Sequence, residues 1–140
     1  MKVTTVMLAD HATVREGLLH VLGGGITRIM RDPLPAQLGV VLALMLQADD
    51  PADFKKVHDL GVSVSHIDSG KGESVAKAVL TVQPLSEIGP GPLPYISLVV
   101  PLQGVPIMET GVHEISVRLD GEMVAVVQFE VVKAELAQTE

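Results

Sequence analysis

The chain has no cysteine and no tryptophan, and Phe54, Tyr95 and Phe129 are its whole phenylalanine and tyrosine content. Without thiols there are no disulfides, thiolate zinc sites or cysteine nucleophiles. With so little aromatic bulk, a core must be assembled from Val, Leu, Ile, Ala and Met. Cations are scarce as well: ten Lys plus Arg stand against seventeen Asp plus Glu, a net charge of −7. That balance speaks against nucleic acid as a partner, because phosphate backbones are held by clustered positive charge. Long hydrophobic runs are missing too. The longest, Val40 to Leu46, falls far short of the roughly 20 residues a spanning helix needs. The opening Met1 to Asp10 is interrupted by Thr4 and Thr5 and ends on an acid, unlike the apolar stretch of a secretory signal. The expectation is a cytoplasmic protein with no membrane partner.

What is present is aliphatic. Of 140 residues, 47% are apolar and only 19% charged, which rules out a disordered polymer and allows one well-formed core. Stretches rich in β-branched residues recur between Gly, Pro and Asp. Lys2–Ala9, Gly17–Leu22, Ile26–Met30, Gln37–Gln47, Gly61–Ile67, Val75–Gln83, Tyr95–Leu102, Val112–Leu119 and Glu122–Val132 read as strands. Arg31 to Pro35 carries two prolines and reads as a loop. Asp50 is placed to cap a single helical turn, with Pro51 at its first position. Asp120-Gly121 is a two-residue hairpin signal, since both positions tolerate positive φ. Pro84 to Pro94 reads as a loop between strands. The pattern predicts an all-β fold, an antiparallel β-sandwich of about eight or nine strands, with a small closed β-barrel as the alternative. The sandwich is expected to occupy residues 1–132, with 133–140 as a polar C-terminal tail.

Two stretches carry a family resemblance. One is Leu8-Ala9-Asp10, then Val14 and Gly17, running into Val21-Leu22-Gly23-Gly24-Gly25. The other is Gly111 before the strand through Leu119-Asp120-Gly121-Glu122 and on to Phe129-Glu130-Val131. Together they resemble an uncharacterised, mainly actinobacterial domain-of-unknown-function family of small β-sandwich proteins. The resemblance spans nearly the whole chain. It implies a compact sandwich and no particular activity. The chain departs from the family in lacking an aromatic in the strand after the triple glycine and in the penultimate strand.

No catalytic residue stands out. A nucleotide loop at Gly23-Gly24-Gly25 would need a following helix, whereas Ile26 to Met30 reads as strand. The ordinary reading is a bend by which the chain changes sheets. Ser69-Gly70-Lys71-Gly72 lacks phosphate-loop spacing and reads as a solvated turn. The histidines His11, His20, His58, His66 and His113 show no metal-ligand spacing. His66 and His113 fall on apolar faces, where hydrogen-bonded packing is the usual role. Asp10 and His11, with Gly23, Gly24 and Gly25, are the weak candidates for a ligand site. No metal and no cofactor are expected.

The informative anomaly is surplus aliphatic surface. Val40 to Leu46 lacks polar alternation and needs cover on both faces, yet a sandwich strand has one inner face. Val124 and Val126 sit on what should be the wet face of the last strand. Either the chain's own segments cover them or a subunit contact does, and the contact is favoured. Interface positions are then Val40, Leu42, Leu44, Leu46, Val124 and Val126. The functional expectation is a non-enzymatic binding or structural module that forms a homo-oligomer. The alternatives are a small-ligand or metal-dependent enzyme near Asp10 and His11, and an accessory subunit with an unlike protein partner.

Overall fold

The structure is a computed structural model that describes residues 1–81 and 89–133. Part of the expected Pro84–Pro94 loop and nearly all of the C-terminal tail lie outside the described residues. Among the described residues eleven strands run in chain order: β1 (Lys2–Arg15), β2 (Leu18–Gly24), β3 (Arg28–Met30), β4 (Ala36–Gln37), β5 (Val41–Gln47), β6 (Val57–His66), β7 (Gly72–Thr81), β8 (Tyr95–Pro101), β9 (Pro106–Ile107), β10 (Gly111–Leu119) and β11 (Glu122–Val132). Each predicted strand has its counterpart. The two additions are β4 and β9, a two-residue pair beside Pro35 and Pro106 that is too short to show periodicity. Among the described residues no helix is long and apolar enough to cross a membrane.

The sheets are open, in the orders β2-β1-β5-β8 and β3-β11-β10-β6-β7, so the fold is a sandwich and not a closed barrel. Every pairing is antiparallel except β3 with β11. Period-two alternation explains the core. Leu8, Leu42 and Val100 form one cross-strand row of the first sheet. They pack with Val62, Val64, Ile115, Val117 and Phe129 from the second. Each such side chain contributes about 1.5–3 kcal/mol on burial.

Beyond Ala9, β1 leaves β5 and continues as a hairpin with β2. The carbonyl of Gly17, at the hairpin tip, accepts a hydrogen bond from Ser97 Oγ at 3.2 Å. Ser97 lies opposite Met45, which itself pairs with Thr5. The tip has therefore returned to the level of Thr5, so the hairpin folds back across the outer face of the first sheet. Leu19 and Val21 there cover Val41, Ala43 and Val99.

The packing corrects the interface expectation: the arm covers Val41 and Ala43, while Val40, Leu42 and Leu44 belong to the core between the sheets. Leu42, Leu44 and Leu46 are fully buried and Val40 nearly so, all by this chain's own segments. Leu46 packs with Ala48, Phe54 and Ile96 under the turn Pro51–Lys55, which Asp50 caps as expected. None of the four offers surface to a second copy. Val124 is corrected for a different reason. A bulge shifts the β10–β11 register between Val117 and Arg118. It turns Val124 towards the core and leaves Met123 outside. Val126 remains on the outer face, half exposed.

The triple glycine carries the crossing between sheets, from β2 in the first to β3 in the second. Gly23 and Gly25 take positive φ of 62° and 87°, and the amides of Gly25 and Ile26 both donate to Leu8 O. Downstream, Arg31 ties the crossing to the next segment. Its guanidinium donates to the carbonyls of Met30, Gln37 and Leu38 at 2.8, 3.0 and 2.5 Å.

Candidate functional site

The register of three adjacent strands lines up rings that look unrelated in sequence. His66 on β6 is opposite His113 on β10, and His113 is opposite Phe129 on β11. His113 stacks on Phe129 with centroids 5.2 Å apart and planes at 16°. His66 meets His113 edge to face at 4.9 Å. The row sits beside a cavity of about 390 Å³ whose apolar wall includes Val64, Val105, Ile107 and Met108. His66, Lys71, Glu109 and His113 supply its polar lining. The segment holding Val105 is pinned by a hydrogen bond from Leu38 N–H to Val105 O at 2.8 Å.

Both nitrogens of His66 are engaged. Nε2–H donates to Thr110 O at 2.9 Å. Nδ1 accepts the Ser69 amide at 3.1 Å, with Ser69 Oγ at 2.9 Å and Glu109 Oε1 at 3.3 Å. The Ser69–Lys71 turn is built on this residue, since His66 N–H donates to Lys71 O and Gly70 N–H to His66 O. Serine, histidine and glutamate thus meet, but not as a catalytic triad. In a triad the nucleophile and the acid occupy different ring nitrogens. Here both crowd onto Nδ1, and Nε2 is committed to a backbone carbonyl.

His113 is the opposite case. It is 4% exposed. Its Nδ1–H donates to Gly111 O at 3.0 Å, and Nε2 has no hydrogen-bond partner among the described residues. Burial holds the ring below the ordinary histidine pKa, and the Gly111 hydrogen bond and Glu109 charge offset this only in part. The ring is neutral at pH 7, its second nitrogen keeps a free lone pair, and the residue lines the cavity.

A second histidine is structural. His58 Nδ1 lies 2.7 Å from Asp120 Oδ2, and its Nε2 lies 2.9 Å from Asp53 O. Both acceptors favour the imidazolium, and the Asp120 hydrogen bond is the main cause of its raised pKa. Asp120 in turn is held below the usual carboxylate range, chiefly by His58.

Asp10 and His11 lie exposed on the β1–β2 hairpin. The Asp10 carboxylate is placed so that a Cβ on Gly23 would come within 2.6 Å of Oδ2. Neither residue lines the cavity, and no group of three or more His, Asp or Glu among the described residues is arranged to hold a metal. His66 and His113 were legible as packed histidines. Glu109 and Met108 were not singled out, and Lys71 was read only as part of a solvated turn, because nothing local to them signals a cavity; the β6–β10 register brings them together.

The profile of the Family of unknown function (DUF6941) matches residues 4–132. The chain belongs to this family. No curated protein matches it. Among solved structures, it is similar to the Pseudomonas fluorescens alkylpurine DNA glycosylase AlkC bound to DNA containing an abasic site analog, at a TM-score of 0.45 and 15% identity. That alignment covers 94% of this chain and 30% of the glycosylase, so the chain spans less than a third of that protein. So loose a likeness carries no argument about activity.

Proposed function

We propose that this DUF6941 member is a binding module whose working site is the cavity beside the His66–His113–Phe129 row. One observation carries the reading: a buried histidine with one ring nitrogen unpartnered among the described residues lines a mostly apolar cavity of about 390 Å³. Pockets of roughly 300–1,000 Å³ with few, fixed polar groups are the usual form of small-molecule sites. The single-nitrogen crowding at His66 favours binding over nucleophilic chemistry. The test is a fragment screen read by methyl NMR. Hits are expected to move Val64, Val105 and Ile107 together. Hits that move only the β1–β2 hairpin, or no hits, overturn the reading.

A second reading is self-association, now through different residues. Leu18 and Leu22 are 62% and 68% exposed on the outward side of the hairpin, and Val126 and Met123 on the outer face of the second sheet are 46% and 47% exposed. Light scattering decides it: a mass equal to the 14.8 kDa chain at micromolar concentration excludes the homo-oligomer. A stoichiometric unlike protein recovered from native extract would instead mark an accessory subunit.

A further inference from the structure

We propose that the cavity is selective for compact, uncharged, hydroxyl-bearing apolar molecules, such as alcohols and phenols, whose O–H donates to Nε2 of His113. The inference rests on the reading of this cavity as a ligand site and goes further by naming what the site takes. The Nδ1 edge of the ring is fixed by Gly111 O. The ring face is fixed by Phe129, and its flank by His66. The orientation of Nε2 is therefore set before any ligand arrives, and that nitrogen lacks a partner among the described residues. A lone pair in that position asks for a donor.

Other ligand classes fit less well. A carboxylate brings no donor for Nε2, and the Lys71 and Glu109 charges in the same lining offset each other. An ammonium ion has donors, but placing it against a 4%-exposed ring among Val64, Val105 and Ile107 strips its hydration. A pure hydrocarbon fills the apolar wall and leaves Nε2 desolvated and unpaired, which costs about 1–3 kcal/mol. A hydroxyl supplies the donor at small desolvation cost. The volume is that of a small-molecule site and exceeds the roughly 150 Å³ that holds one benzene ring.

The experiment uses four probes of similar size on the full chain: phenol, toluene, benzoate and benzylamine. Cavity methyl shifts give affinities, and the side-chain ¹⁵N shift of His113 Nε2 reports hydrogen bonding directly. Phenol is expected to bind on the order of tenfold tighter than toluene, with an upfield move of the Nε2 resonance. In His113→Phe, which keeps the stack on Phe129, that preference should disappear. If the variant does not fold, the ¹⁵N shift in the unaltered protein decides alone. Equal affinity for phenol and toluene at these methyls, or tightest binding of benzoate or benzylamine, overturns the selectivity while leaving the cavity a ligand site. No movement of the cavity methyls with any probe overturns both.

Discussion

His66 and His113 face each other across β6 and β10 with ring centroids 4.9 Å apart, yet they have opposite hydrogen-bond states. The first is tied at both nitrogens. The second is tied at one. Burial makes the second resist protonation, and the nearby first ring adds to that resistance.

The consequence of the buried neutral ring is acid sensitivity. His113 has a folded pKa below its ordinary value of 6.5. Its stabilising contribution is thus complete above 6.5 and is lost as pH falls through the depressed folded value. The slope from one such group is at most about 1.4 kcal/mol per pH unit. Urea midpoints of the unaltered protein and His113→Phe, measured from pH 7.5 down to pH 5, should converge as the pH drops. A constant gap would show that the ring titrates in the folded protein as it does when unfolded.

The His58–Asp120 pair has the reverse sign on its alkaline side. His58 has a raised pKa, mainly through its hydrogen bond to Asp120, so its contribution is full below 6.5 and is lost as pH rises through the folded value. Asp120 has a lowered pKa, so its contribution is present above 3.8 and is lost as pH falls. The pair acts in the window between those two folded values. Asp120→Asn is the clean probe, because φ at this position is +51° and Asn tolerates it. Asp120 is half exposed, so solvent weakens the pair, and a loss of about 1–2 kcal/mol near pH 5.5 is expected. Denaturant titration should show that loss shrinking towards alkaline pH. A loss independent of pH would mean that the turn, and not the charge pair, was damaged.

Strands and turns were readable because their signals are local. Period-two alternation marks Val112 to Leu119, and Asp120 and Gly121 take the positive φ that their sequence invites, 51° and 84°. The triple glycine was readable as a sheet crossing for the same reason. What failed was long-range. The two-sided aliphatic run in β5 looked like a subunit contact because nothing in the sequence shows the β1–β2 hairpin folding back over Val41 and Ala43. The bulge that turns Val124 inward is equally silent, since one extra residue leaves the alternation of the flanking stretch intact. The site was only half visible. His66 and His113 stood out separately, but their pairing depends on a register between strands more than forty residues apart.

Arg31 is another residue whose role only the fold reveals. Its donors hold three carbonyls on either side of the proline-rich connection. Arg31→Met should lower stability by about 2 kcal/mol, since hydrogen bonds from a charged donor are among the stronger ones. Arg31→Lys should recover little, because a single ammonium cannot span the fork. Thermal melts of the two variants check this; full recovery by Lys would reduce the guanidinium to a simple charge.

The last prediction separates burial from assembly. Leu42 is fully buried within one chain, whereas Leu22 is 68% exposed on the hairpin. Leu42→Ala removes core contacts and leaves a cavity, so it should cost about 2–5 kcal/mol. The native mass should stay the same, because the side chain touches only its own chain. Leu22→Ser should change stability by about 0.5 kcal/mol or less. If the hairpin face mediates self-association, this variant, and not Leu42→Ala, lowers the mass. Chemical denaturation and light scattering on the same two proteins give both answers. A drop in mass for Leu42→Ala under conditions where it remains folded would put the subunit contact back on β5, in place of the second sheet that Leu42 packs against.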